Sequence, residues 1–164
     1  MIRRSAQGKS SQVRSVRSRT VTAFPTKHAL ESYGYRFDTP DEALISGDTS
    51  PTDETINACK GCDVLIHEAR AVEMFARLPE DRRSFGAKNH TTSEQLAALA
   101  TKGKPGLLIV YHAWISWWPT VEAAADQPVT LTNGGLHSTP DLLQREIGSR
   151  YSGNFVIGRD LDVW

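Results

Sequence analysis

The sequence predicts an α/β fold: an open sheet of buried strands with helices packed on it. Three apolar runs carry that expectation, ALIS (residues 43–46), DVLI (63–66) and LLIVY (107–111). Each is a short, nearly continuous apolar stretch of the kind buried on both faces, and helical patterns separate them. A chain of 164 residues suits one ordinary domain, or part of a larger one, and can bury a modest core.

The opening twenty residues are set apart by charge. They hold Arg3, Arg4, Lys9, Arg14, Arg17 and Arg19 and no acid; the other thirteen basic residues face nineteen acids, so the body carries 13 − 19 = −6. Rich in Arg and Ser and without an apolar run, the segment is not a secretory signal and reads as a disordered basic arm over 1–20. A transit peptide, a nucleic-acid-binding tail and a leader from a displaced start codon fit the same composition. Residues 21–164 are then one domain.

Within it, VTAFP (21–25) and YGYRF (33–37) read as two strands around a polar connection that contains His28, and ALIS as a third. The segment PTDETINACKGC is a short helix, capped by Thr52 or Asp53 and ended by Gly61. DVLIHE (63–68) resumes an apolar strand. Residues 69–86 read as a helix broken at Pro79 and followed by a charged loop. A capping box of Thr92 and Gln95 starts the next helix, and GLLIVYH is another buried strand. Residues 113–140, with Trp114, Trp117, Trp118 and a Gly-rich run, read as an insertion or long loop. The tryptophans there either line an entrance or pack over the core. PDLLQREIGSRY is an amphipathic helix, and NFVIG a last strand.

Cys59 and Cys62 have CxxC spacing, but no second pair completes a zinc site, so they are expected to be reduced, partly buried cysteines of a cytoplasmic protein. No stretch approaches the roughly 20 apolar residues that span a membrane.

Three polar residues occupy equivalent points in this pattern: Asp48 just after ALIS, His67 at the end of DVLI and His112 at the end of LLIVY. Ligands and catalytic groups of open α/β sheets collect at the carboxyl ends of strands. His90, just before the capped helix, can overlook the same edge. Carboxylate and imidazole are the usual ligands of zinc and similar divalent metals. Asp48 alone is an ordinary turn former between Gly47 and Pro51, but in this company it reads as a metal ligand. His28 reads as a structural residue of its loop, and His137 has no supporting context.

VTAFPTKHALESYGYRFDTPDEALISGDTSP, GCDVLIHEA, KNHTTSEQLAALA, LLIVYH and RYSGNFVIGRDLDVW together resemble the second half of a metallo-β-lactamase-fold hydrolase, of the ribonuclease Z and arylsulfatase-like branch. The similarity runs from about residue 20 to 112, and again from near 140 to the end. It implies an α+β sandwich, about one half of the αββα layers. It also implies that Asp48 of the GDT turn bridges two metal ions, zinc or alternatively manganese, that His112 closes the second metal site, and that His90 of HTT assists proton transfer. His67 and Glu68, in a segment like HEAT, would support these residues from behind.

The chemistry suits the residue types. Two cations about 3.5 to 4 Å apart need an anionic oxygen between them, a water there becomes a nucleophile near neutral pH, and the leaving oxygen needs a proton. The HxHxDH motif of the family's first half does not occur, because His28 is the first histidine and no HxH is present. The expectation is therefore a metal-dependent hydrolase of phosphodiester or other ester bonds, acting on RNA or a small ester. Alone it would be incomplete, needing a homo-oligomer or the missing N-terminal half. The alternative is a non-catalytic remnant or interaction module that binds a partner protein or nucleic acid.

Overall fold

The computed structural model describes residues 11–16, 19–40, 42–113, 139–159 and 161. Seven strands form one sheet in chain order: β1 (Ser11–Val16), β2 (Arg19–Lys27), β3 (Glu31–Asp38), β4 (Ala43–Ile45), β5 (Val64–Glu68), β6 (Leu107–Tyr111) and β7 (Phe155–Ile157). β1 to β4 run antiparallel, and β4 to β7 run parallel. The parallel strands are joined by helical crossovers: α1 (Asp53–Cys59), then α2 (Val72–Ala76), α3 (Glu80–Asn89) and α4 (Ser93–Gly103), and finally α5 (Pro140–Gly148).

Crossovers between parallel strands are right-handed, so a sheet built in one direction collects its helices on one face. The core lies there: Leu44, Leu65, Leu108 and Val110 of the strands pack with Leu96, Leu99, Leu143 and Ile147 of α4 and α5. Side chains alternate along a strand, so the other face carries a row in register, Tyr35, Ile45, Ile66, Ile109 and Val156. Sheet and helical layer together make the α/β half-sandwich expected from the sequence.

Local chemistry sets the helix ends. Thr52 Oγ1 accepts the Thr55 amide at 3.1 Å to start α1, and Lys60 in the left-handed region ends it. Thr92 and Gln95 form the anticipated capping box on α4. The N-terminus of α2 has no cap of its own; the Glu146 carboxylate of α5 accepts the Val72 and Glu73 amides at 2.8 and 3.0 Å.

Four expectations change. The segment expected to be a disordered arm over 1–20 enters the sheet, as β1 and the start of β2, from Ser11 onward. The charged stretch after Pro79 is not a loop but α3, with Glu80 and Asp81 at its positive end and Lys88 in its last turn. It escaped notice because it buries only Gly86 and Asn89, and so shows no apolar stripe. Cys59 and Cys62 are not reduced thiols but a disulfide, and both are buried. The polar connection around His28 shrinks to a hairpin tip of residues 28–30 between two long strands. The expected insertion, including the three tryptophans and His137, lies outside the described residues except at its ends. No described helix is long and apolar enough to cross a membrane.

Candidate metal centre

Asp48 follows β4 on a turn that Gly47 makes possible, since Gly47 has φ +68°, a region a side chain disfavours. The turn is held from three directions by Thr49, which is fully buried. Its amide donates to Glu68 Oε1 at 2.8 Å, its carbonyl accepts the Thr91 hydroxyl at 2.7 Å, and its Oγ1 accepts the Lys27 amide at 2.9 Å. The Ser50 amide also donates to the Lys27 carbonyl, at 2.8 Å. These bonds tie the ends of β2, β4 and β5 and the loop before α4 to one point.

The hairpin tip after Lys27 is thereby carried to the Asp48 turn, and His28 with it. One ring nitrogen of His28, one carboxylate oxygen of Asp48 and one ring nitrogen of His90 lie within 4.8 Å of one another. The His28 and His90 rings meet edge to face, with centroids 5.1 Å apart. His28 Nε2 is buried and makes no hydrogen bond. A buried imidazole nitrogen without a partner costs free energy unless something else satisfies it. A divalent cation is a satisfactory partner, so this donor set fits the ion that the sequence resemblance implies.

His112 directly follows β6, with Nε2 3.4 Å from Asp48 Oδ2. Its backbone has φ +43°, in the left-handed region, which is costly for a residue with a side chain. Such strain persists where the surrounding structure demands it and clusters at functional sites. The His112 ring also stacks near His90, with centroids 6.2 Å apart, so Asp48 and the three histidines form one cluster.

Behind His90 lies Glu68. Its Oε1 is 2.9 Å from His90 Nδ1, and both side chains are buried. Held there through Nδ1, the His90 ring still reaches the group formed with His28 and Asp48. His67, one residue earlier, alternates to the helical layer, where it is fully buried with Nδ1 2.8 Å from the Glu68 carbonyl. Burial pushes its pKa down, against opposing effects of that hydrogen bond and of the Glu68 charge.

Two further groups feel the charge of the site. Burial, then the charges of Asp48 and Glu68, push the Tyr111 phenol up to about 12, so it remains neutral. Burial lowers the pKa of the Arg70 guanidinium, while Glu68 and Asp48 act to raise it.

The structure therefore brings together Asp48, His90 and His112, places Glu68 directly behind His90, and turns His67 away. It adds His28, which sequence reasoning set aside. The tie between Lys27 and Ser50 spans 23 residues, so no local spacing could have revealed it.

No family model matches the chain. Among curated proteins it is 27% identical to ribonuclease BN of Escherichia coli O139:H28 (strain E24377A / ETEC), over 57% of this chain and 46% of that protein. The chain thus spans about half the length of the curated relatives it matches. Of solved structures, the metallo-β-lactamase fold protein YhfI from Bacillus subtilis superposes with a TM-score of 0.67 at 20% identity, over 94% of this chain and 52% of that one. The short form of human tRNase Z gives a TM-score of 0.50 at 23% identity, over 63% of this chain and 39% of that one. The chain carries the metallo-β-lactamase fold, about half of it, as the resemblance in its motifs led one to expect.

Proposed function

We propose that the chain supplies part of the metal centre of a metal-dependent hydrolase that cleaves a phosphodiester or another ester bond, RNA being the preferred substrate class. The observation that carries this reading is the convergence of His28, Asp48 and His90 within 4.8 Å, with His112 beside Asp48. Relatives named ribonuclease BN and tRNase Z support RNA as the substrate.

In this reading Asp48 and His112 would hold the metal, and His28 would add a third donor. Three protein ligands suffice for a catalytic zinc, and manganese is the second candidate. When bound, the divalent cation supplies Lewis acidity at the phosphoryl oxygen and makes a water more acidic. His90 handles the proton that the leaving oxygen requires. Glu68 orients its ring by engaging Nδ1. His67 supports from behind by fixing the Glu68 main chain. The relatives are about twice as long, and further ligands of a two-metal site would come from a complementary half or a second subunit.

The test compares Asp48→Ala, His112→Ala and His90→Gln for bound zinc per chain and for cleavage of bis(p-nitrophenyl) phosphate. Asp48→Ala and His112→Ala should lose the metal. His90→Gln should keep the metal and lose cleavage, and loss of metal there would reassign His90 to the ion. A wild-type chain that holds neither zinc nor manganese would remove the proposal.

A further inference from the structure

Arg70 follows the HEA segment and is buried to 2% relative exposure, a rare condition for an arginine. Its guanidinium lies 5.3 Å above the Phe75 ring. Its terminal nitrogen occupies the space that a side chain on Gly86 would take, since a Cβ there would stand 2.2 Å from Arg70 Nη1. Gly86 is no remote neighbour, because its carbonyl accepts the His90 amide at 2.9 Å in the last turn of α3. The guanidinium thus presses on the turn that delivers His90.

The main chain of Arg70 works on the other flank of the same histidine. Its amide donates to the Thr91 carbonyl at 3.0 Å and its carbonyl accepts the Ser93 amide at 2.8 Å, forming a parallel bridge to Thr92. A residue that only filled space here would do better as Met or Leu. Burying a charge costs several kcal/mol, roughly, unless opposite charge and hydrogen bonds offset it. The opposite charges that act on Arg70 are those of Glu68 and Asp48.

We propose that Arg70 is a positioning residue for the Glu68–His90 pair: seated against Gly86 and Phe75, its guanidinium fixes the turn that delivers His90 to Glu68, and its main chain sets the register of the loop that carries His90. Arg70 acts through the two chain segments that flank His90. The proposal rests on the reading of His90 as the proton-handling group, and its consequence is a single ring tautomer. With Glu68 Oε1 already accepting the Thr49 amide, the His90 proton belongs on Nδ1.

The test records two-bond proton–nitrogen correlations of the imidazoles in the nitrogen-15-labelled, metal-free full chain. It is done at about pH 8, above the ordinary histidine pKa of ~6.5, with His90→Gln assigning the signal. The wild type should show His90 with one protonated and one unprotonated nitrogen. Arg70→Met should lose that pattern to tautomer averaging with its circular dichroism unchanged, and Arg70→Lys should restore it. A folded Arg70→Met with the wild-type pattern overturns the proposal. Should Arg70→Met not fold, Gly86→Ala decides: alanine favours the helix but displaces the guanidinium, so loss of the pattern supports the proposal and retention overturns it. The spectrum needs neither metal nor substrate, so a chain that bound no zinc and cleaved nothing would remove the proposed function and leave this readout intact.

Discussion

His90 Nδ1 lies 2.9 Å from Glu68 Oε1, and the same oxygen accepts the Thr49 amide at 2.8 Å, with all three residues buried. One carboxylate oxygen therefore satisfies two buried groups on different segments. Glu68→Ala leaves both unpaired, at a cost of ~1–3 kcal/mol for each. Glu68→Gln retains a carbonyl oxygen that can accept both, and should cost about 1 kcal/mol. Urea denaturation of the two variants checks the ordering, and equal losses would show that the carboxylate serves packing alone.

His28→Ala distinguishes a metal donor from a loop residue. The side chain makes no hydrogen bond through Nε2, so its removal should change stability little. Loss of a ligand should nonetheless weaken zinc binding by at least about 10-fold, the lower end of what even an indirect partner contributes. Zinc titration of the variant beside the wild type is the measurement, and unchanged affinity would return His28 to a structural role.

Most of the sheet was legible because buried parallel strands are written as apolar runs and helix starts as Thr caps; ALIS, DVLI, LLIVY and the Thr92 box all stand where expected. Asp48 and His112 were visible for the same reason, as polar residues closing such runs. What stayed hidden depended on contacts distant in sequence. His28 reaches the centre through the Lys27 bonds to Thr49 and Ser50, and Arg70 finds its seat on a glycine sixteen residues away. The helix α3 and the strand β1 have neither an apolar stripe nor an apolar run, so periodicity could not announce them.

Thr49→Val tests the tie that carries His28. Valine nearly matches the shape but removes the oxygen that accepts the Lys27 amide. A buried or half-buried donor left unpaired costs about 1–3 kcal/mol. Because the hairpin tip would then move relative to Asp48, zinc affinity should fall together with stability. Hydrogen exchange at the Lys27 amide should accelerate, and a variant with wild-type exchange there would show that the Ser50 bond alone holds the hairpin.

The Cys59–Cys62 disulfide stands at the other end of the sheet, before β5 begins, whereas Asp48 and His112, the proposed metal donors, follow the ends of β4 and β6. With only three residues of sequence separation, the loop-entropy contribution is small, about 2 kcal/mol. Cys59→Ser with Cys62→Ser should therefore lower the urea midpoint while leaving zinc stoichiometry unchanged. Loss of zinc from this variant would mean that the thiols, not the histidines, had held it.

His67 should make stability depend on pH. Burial holds its folded pKa below the ordinary 6.5, so the neutral ring is the form the fold accepts. Above about 6.5 the imidazole is neutral in both states and its burial is fully favourable. As pH falls below that value the unfolded chain takes up a proton that the folded chain refuses, and stability declines until the folded pKa is reached. The slope for one such proton is at most about 1.4 kcal/mol per pH unit. Urea denaturation at a series of pH values from about 7.5 down to 5.5 should show this decline in the wild type and a shallower one in His67→Gln, where the titrating ring is gone. Parallel curves for the two proteins would assign the decline to other groups.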